Sequence, residues 1–353
     1  MSGRIDAYGD GLALIHLTPP LEGFEEFIGA WFVPGPPAYL VDVGPGSTAG
    51  QLLQALDALG VTRLDYILLS HLHLDHAGAV GRISARFPRA RIVCHENGIS
   101  HLADPARLWD GARAVLGRVA EGYGPIDPVP PERVIAAQGF EANGISALVT
   151  PGHAPHHVSF STPAGLFAGE ACGVWYRLPG GAEYLRPATP PRFILDIALA
   201  SIDTLIACGP ARMAVGHLGL IADGLGLLRR HRGQLLFWEK WLARCARESL
   251  SGPAPACCAQ TRAWPPSTVF RRRPRRVKPT FSATASTVFW GGSPPAAGGA
   301  RARRLPRRSG RSTAGGVQAL RMASTTFSVA DVFATSCTRT MWAPFITAAA
   351  TAA

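Results

Sequence analysis

The sequence lacks the cysteine patterns and the long apolar runs that mark several classes of protein. Its seven cysteines are odd in number, are irregularly spaced and form no Cys-x-x-Cys pair, which argues against a disulfide framework and against a cysteine-type zinc site. No run of 18 or more apolar residues predicts a membrane-spanning helix. The N-terminal residues lack the basic start and apolar core of a signal peptide. We therefore expect a cytoplasmic protein with reduced thiols and no membrane partner.

Acidic residues are almost missing from the last part of the chain. Residues 251–353 contain 15 lysines and arginines but a single acidic residue, Asp331. Residues 1–250 contain 20 basic and 23 acidic residues, so the net charge of +11 belongs to this tail. The tail is rich in Arg, Pro, Ala and Gly and has no sustained hydrophobic period, so we expect it to be disordered.

Three explanations of the tail stay open. Its arginine clusters, such as residues 271–276, would attract nucleic-acid phosphates without sequence specificity. The tail would equally serve as a plain solvated extension. The explanation that we favour is a frameshift, because a GC-rich gene read out of frame yields Arg, Pro, Ala and Gly and few acids. The chain would then be an inactive, truncated product without its native terminal helices.

Residues 1–250, by contrast, are typical of a folded domain. Apolar runs of strand length recur along them, and helical patterns lie between several of these runs. The helical patterns are at residues 51–59, 78–87 and 225–249, and the strand-like runs are at 38–43, 66–69, 91–94, 145–149, 158–160 and 213–215. Because strands and helices alternate, the sequence predicts an α/β domain over residues 1–250.

The strongest functional motif is Ser-His-Leu-His-Leu-Asp-His at residues 70–76, which directly follows an apolar strand. Residues two apart in an extended loop point the same way, so His71 and His73 can reach one metal ion. Asp75 and His76 lie where the chain turns into a helix, and they can face a second ion beside the first. Imidazole and carboxylate ligands together suit zinc, iron or manganese.

This motif resembles the HxHxDH signature of the metallo-β-lactamase superfamily, and four further landmarks, one before the motif and three after it, occur in family order. Val41–Gly46 resembles the early strand and glycine turn, in which Asp42 would be structural. Thr150–His153 resembles the second ligand loop. Leu166–Glu170 resembles the strand that ends in the bridging carboxylate, and Val215–His217 resembles the last ligand loop.

The resemblance implies a four-layer αββα sandwich with two central sheets and helices on both outer faces. It also implies two divalent ions, with zinc as the first expectation and iron or manganese as alternatives. Most relatives have Asp where this chain has Glu170, although the surrounding sequence resembles a subgroup with Glu there. His157 would brace the site by hydrogen bonding. The ligands implied are His71, His73, Asp75, His76, His153, Glu170 and His217.

The function expected from this ligand set is hydrolysis by a hydroxide held between two metal ions. Asp75 would also be catalytic, because it can orient the nucleophile or accept its proton. The Thr-Pro-Gly-His loop is similar to that of hydroxyacylglutathione hydrolases, which favours a thioester or an ester as the small-molecule substrate. Tyr176 and Arg186, which follow Glu170, are candidate substrate contacts.

Other activities stay open. A phosphodiesterase or nuclease of the same fold would act on a phosphoryl group, although such relatives usually carry an insertion that we do not find between the ligand loops. An oxygenase of the same fold would use one iron and leave part of the second site unfilled. Nucleic-acid binding would depend on the basic tail. The sequence also leaves open whether the chain forms a homodimer.

Overall fold

The computed structural model describes residues 4–177, 183–190 and 192–249. The basic tail, with its predicted disorder, its frameshift origin and its role in nucleic-acid binding, lies outside these described residues. Within them, two large sheets and one separate hairpin are present. No helix of the described part is both long enough and apolar enough to cross a bilayer.

The first sheet has seven strands, which are hydrogen-bonded in chain order. Its first three pairings are antiparallel and its last three are parallel. The parallel strands are joined by helical crossovers, because parallel neighbours cannot be joined by a tight turn. The strands are β1 (Ile5–Ala7), β2 (Ala13–Leu17), β3 (Ile28–Val33), β4 (Tyr39–Val41), β5 (Tyr66–Leu68), β6 (Arg91–Cys94) and β7 (Val134–Ala136). The crossover helices are α1 (Ala49–Ala58), α2 (Leu74–Ala77), α3 (Val80–Arg86), α4 (Ile99–Ala103), α5 (Ala106–Leu116) and α6 (Arg118–Tyr123).

The second sheet has six strands, and a two-stranded hairpin and two helices accompany it. Its strands are β8 (Glu141–Ala142), β9 (Ile145–Val149), β10 (Val158–Thr162), β11 (Gly165–Phe167), β14 (Met213–Ala214) and β15 (Leu220–Ile221). In space they run β15-β14-β11-β10-β9-β8, and β11 pairs with β14 in parallel. The hairpin consists of β12 (Val174–Arg177) and β13 (Glu183–Arg186), and the helices are α7 (Leu195–Ala207) and α8 (Gly224–Ser249).

The buried side chains form three apolar layers. Along β2, Leu14 belongs to the cluster between the two sheets, whereas its neighbour Ile15 packs on the opposite face with the crossover helices. A third cluster joins the outer face of the second sheet to α7 and α8, for example through Met213 and Leu227. Strand residues are therefore buried on both faces, which explains the continuous apolar runs in the sequence. The predicted αββα sandwich is confirmed.

The structure also contains elements that the sequence patterns did not indicate. These are β1 to β3, β7, β8, β15, helices α4 to α7 and the hairpin β12–β13. Residues 28–33 are buried throughout, so they show no alternation of apolar and polar residues. Helix α5 buries only Leu108, so its apolar face is narrow. A periodicity search is least sensitive to these two extremes of burial.

Phe160 tests how much the inter-sheet layer contributes to stability. Its side chain is fully buried between the sheets, on a strand that pairs on both sides. We expect Phe160→Ala to lower the free energy of unfolding by about 3–5 kcal/mol, because the lost burial and the cavity add. The measurement is denaturant unfolding. The control is Val149→Ala on the adjacent strand, where the side chain is 38% exposed. Similar losses in the two variants would contradict this account.

His231 on α8 is a buried titratable group. Its exposed fraction is 2%, and burial lowers its pKa from 6.5 to about 4, against a small opposing effect of the Gln234 side chain. The folded state therefore favours neutral imidazole more strongly than the unfolded state does. Its contribution to stability is fully present above pH 6.5 and is lost as the pH falls toward 4.

We expect this linkage to be visible in the variant His231→Leu. Between pH 7.5 and pH 5, the unmodified protein should lose roughly 2 kcal/mol more unfolding free energy than the variant. Groups common to both proteins cancel in the comparison. Denaturant unfolding across this pH range makes the measurement, and parallel pH profiles would show that burial of His231 has no such effect.

Candidate metal centre

The predicted ligands come from four loops at one edge of the sandwich. The segment 70–76 leaves β5 and enters α2, and the segment 150–157 joins β9 to β10. Residues 169–170 follow β11, and residues 215–217 follow β14. Because β11 and β14 are parallel neighbours, their carboxyl ends open at the same edge, which is where α/β proteins commonly place functional groups.

One group of side chains surrounds the carboxylate of Glu170. The Nδ1 atom of His73 lies 2.9 Å from His71 Nε2 and 3.1 Å from His153 Nε2. Glu170 Oε2 lies 2.8 Å from His153 Nε2 and 3.4 Å from His71 Nε2. These four donor atoms lie within 4.8 Å of one another, so a single metal ion could bind all of them.

A second group lies beside the first. It consists of Asp75, His76 and His217, whose donor atoms also lie within 4.8 Å of one another. Glu170 faces this group as well, since its Oε1 lies 3.2 Å from His217 Nε2 and its Oε2 lies 3.6 Å from His76 Nε2. The structure therefore brings all the predicted ligands together, with Glu170 between the two groups.

Hydrogen bonds fix which ring nitrogen faces the centre in three of the histidines. The Nδ1–H of His71 donates to Ser70 Oγ at 3.0 Å, and that of His153 donates to the carbonyl of Ala188 at 3.2 Å. The Nδ1–H of His76 donates to Asp42 at 2.8 Å. The Nε2 atom of each ring is then left as a lone-pair donor, as metal ligation requires.

This donor set fits a pair of divalent metal ions. His73 Nδ1 lies close to the Nε2 atoms of both His71 and His153, and a proton on it could satisfy only one of these two contacts. A cation between the three ring nitrogens would satisfy all of them. His76 Nε2 is buried and has no hydrogen-bond partner in the described part of the chain, although buried polar atoms normally have one. Imidazole and carboxylate donors in this number suit zinc, iron or manganese.

Asp42 supports the second group through a hydrogen bond to the side of the His76 ring that faces away from the centre. It is buried, and its backbone is left-handed with φ of 56°. Its carboxylate accepts hydrogen bonds from the Ser70 backbone N–H, the Ser70 hydroxyl and the His76 imidazole, each at 2.8 Å. One carboxylate therefore ties the end of β5 to the ligand that follows it. This placement agrees with the structural role that the resemblance implied.

His157 braces the loop that carries Glu170. It is completely buried, and its Nε2 accepts the backbone N–H of Glu170 at 3.1 Å while its Nδ1–H donates to Thr150 Oγ1 at 2.8 Å. Gly169 has φ of 53°, and a Cβ atom there would lie 2.4 Å from His157 Nε2. Only glycine lets the imidazole approach this backbone closely enough to hold it.

Burial and neighbouring charges set the protonation states. Burial disfavours a charge on Glu170, but the imidazoles of His153 and His217 outweigh it and hold the pKa of the carboxyl well below its usual value. Burial, reinforced by nearby imidazoles, lowers the pKa of His71 and of His73 well below 6.5. Burial also disfavours a charge on His153 and on His76, but Glu170 outweighs it at His153 and Asp75 with Asp42 outweighs it at His76, so the pKa of each is raised. Ligation requires neutral imidazole, so metal binding at these rings would release protons.

Sequence reasoning missed several residues that shape the centre. The ring of Phe27 stacks on the ligand His217, with centroids 4.0 Å apart and an interplanar angle of 26°. Tyr176, a predicted substrate contact, stacks next in line at 6.2 Å from Phe27. The other predicted contact, Arg186, lies on β13 opposite β12, the strand of Tyr176. Ser70 and Thr150 stand inside recognised motifs and could have been found, whereas no local pattern indicates Phe27.

Comparisons with known proteins agree with this geometry. Residues 29–217 match the model of the metallo-beta-lactamase superfamily. The metallo-beta-lactamase fold-containing protein ST1585 of Sulfurisphaera tokodaii is 27% identical over 187 residues, which are 50% of this chain and 69% of that protein. Its crystal structure superposes with a TM-score of 0.55 at 25% identity and covers 65% of this chain and 87% of that one. A hydroxyacylglutathione hydrolase of Acidiphilium cryptum is 32% identical over 189 residues, which are 51% of this chain and 63% of that protein.

We expect Asp42→Asn to weaken metal binding without unfolding the site. Asparagine tolerates the left-handed backbone, but it lacks the charge that the His76 imidazole and the Ser70 hydroxyl need. Loss of such a supporting carboxylate should reduce affinity for one ion by about 10–100-fold. The measurement is zinc titration by calorimetry of the chelator-treated chain. The control is Asp57→Asn, at an exposed ion pair with Arg86, and equal affinities in the two variants would contradict the role of Asp42.

Proposed function

The chain belongs to the metallo-β-lactamase superfamily, and on that premise we propose that it is a dinuclear metal-dependent hydrolase of thioesters or esters. The observation that carries the proposal is the position of Glu170 between two ligand groups, with one oxygen toward His217 and the other toward His153. A carboxylate placed between two such groups can ligate both ions. Every position of the second group has a ligating residue, namely Asp75, His76 and His217. This favours hydrolysis over the single-iron chemistry of an oxygenase.

When bound, two divalent ions supply Lewis acidity and lower the pKa of coordinated water to near neutrality. The residues of the chain then have separate tasks. His71, His73 and His153 would hold one ion, while Asp75, His76 and His217 would hold the other. Since His71, His153 and His76 are oriented by hydrogen bonds to Ser70, Ala188 and Asp42, little reorganisation of these three ligands should be needed during the reaction.

Asp75 is the group best placed to handle a proton. Its side chain is 17% exposed, while those of His71, His76 and His217 are at most 4% exposed. It therefore reaches the open side of the centre, and its carboxylate lies 3.7 Å from His76 Nε2. We assign to it the orientation of the attacking water and acceptance of the proton that this water loses.

A thioester or an ester is the substrate class that we favour. The hydroxyacylglutathione hydrolases among the relatives support a thioester. An ester is included because the residues that would hold the ions and accept the proton would serve thioester and ester hydrolysis equally. The chain matches only part of those proteins, so glutathione itself is not part of the proposal. In this proposal the reaction takes place at a carbonyl centre. Phosphodiesters are therefore the comparison substrates, because the alternative activity of this fold acts on a phosphoryl centre.

Metal content and turnover test the proposal together. The full chain should bind two zinc ions, hydrolyse simple acyl thioesters or esters, and lose turnover on chelation. Glu170→Ala should lower kcat by at least about 100-fold, as expected when a group that positions transition-state stabilisation is removed. The matched control is Glu141→Ala, an exposed carboxylate on β8. Cleavage of bis(4-nitrophenyl) phosphate with no cleavage of any thioester or ester would overturn the assignment.

A further inference from the structure

The hairpin β12–β13 has two unlike faces. Trp175 is 4% exposed and Leu185 is partly buried, and both pack into the apolar cluster of α7 and α8. Tyr176 pairs with Tyr184, and Val174 pairs with Arg186. Because side chains alternate along a strand, Tyr176, Tyr184 and Arg186 share the opposite face. Val174 shares this hairpin face but is buried, so the partly exposed side chains of the face are the two tyrosines and the arginine, and the function proposed above does not use them.

A stack of aromatic rings connects the hairpin face to the metal centre. Tyr176 lies parallel to Phe27, with centroids 6.2 Å apart and an angle of 24°, and Phe27 lies against His217. Phe27 and Tyr176 are both partly exposed. They are therefore available for contact, and they form an apolar wall that begins at a predicted metal ligand and ends at the hairpin. An apolar part of a substrate would be buried against such a wall.

Arg186 lies at the far end of this wall without an anionic partner. Within the described residues no carboxylate lies within salt-bridge distance of its guanidinium, and its hydrogen bond is a long one, 3.4 Å, to the carbonyl of Pro187. The side chain is partly buried, and its charge opposes the effect of burial on the pKa of Tyr176 and of Tyr184. A guanidinium partly withdrawn from water gains most from a bidentate anion such as a carboxylate.

We propose that this face is a substrate subsite for an ester or thioester that carries a carboxylate beyond an apolar or aromatic segment. Phe27 and Tyr176 contact the apolar segment, and Arg186 binds the carboxylate. The inference rests on the proposed function for the nature of the bond that is cleaved. Recognition of the carboxylate itself depends only on residues of the chain, so binding can be measured separately from turnover.

Binding of a stable analogue is the first test. The probe is 4-(ethylsulfanylmethyl)benzoic acid, a thioether that cannot be hydrolysed and whose ring lies between the sulfur and the carboxylate, and its primary amide is the neutral control. We expect calorimetry to show tighter binding of the acid, and a loss on the order of 10–100-fold in Arg186→Gln, the range for hydrogen bonds between charged groups. Binding of the amide should stay within about threefold in that variant.

Arg177→Gln provides the matched control on the same hairpin. Arg177 is exposed and stands over the ring of Trp175, on the other face of β12. Its loss should leave the binding of both probes unchanged. Equal binding of the acid by Arg186→Gln and the unmodified protein, or an equal loss in Arg177→Gln, would overturn the subsite.

Turnover separates this inference from the proposed function. With zinc bound, the chain should hydrolyse 4-(acetylsulfanylmethyl)benzoic acid, whose ring lies between the thioester and the carboxylate, with a KM at least about tenfold below that of its amide. Arg186→Gln should remove the difference while kcat stays similar. If the analogue binds as expected but neither thioester is cleaved, the hydrolase assignment fails and the subsite stands. If both thioesters are cleaved with equal KM in all variants, the subsite fails and the hydrolase assignment stands.

Discussion

The rest of the structure depends on one constraint, which is the close approach of several imidazole nitrogens to one another and to a single buried carboxylate. His71, His73 and His153 approach one another around Glu170, and such a cluster cannot be stable by itself in an apolar interior. Two features make it tolerable. The outward ring nitrogens of His71 and His153 have fixed acceptors at Ser70 and Ala188, and the inward nitrogens are placed where cations could bind them. The site is thus a polar cavity whose geometry is set from outside.

The fold supplies this outer support at long range. Ligands that are far apart in the chain meet because parallel strands from each sheet end at the same edge. The two sheets are also tied together at that edge, where the Trp31 indole donates to the carbonyl of Val215 across 184 residues of sequence. Apolar layers above and below the sheets hold the strand ends rigid. Rigid strands carry short ligand loops, so small displacements of donor atoms are resisted by packing.

The ligands could be predicted from the sequence, whereas the long-range contacts that support them could not. The ligands and Asp42 belong to short motifs, and the strand that precedes each motif has an apolar run that a single sequence shows. Phe27 touches His217 across 190 positions of sequence, and no local period records such a contact. The hairpin was missed for a related reason. One of its faces packs into the apolar core, while the other carries tyrosines and an arginine. Large side chains therefore occur on both faces, and the sequence lacks the apolar–polar alternation that would predict a strand.

Glu170 is one methylene longer than aspartate, and the structure shows where this length is accommodated between the two ligand groups. Its extra methylene requires space in a centre where the positions of the ligand loops are set by packed strands. That space lies against Gly216, where an added Cβ would stand 3.1 Å from Glu170 Cγ and 2.8 Å from the carbonyl carbon of Gly169. The backbone N–H of Gly216 also donates to Gly169 at 2.9 Å, which fixes the distance between the two loops. Two glycines in adjacent loops thus place the glutamate carboxylate between the ligand groups, so its greater length is compatible with binding at both.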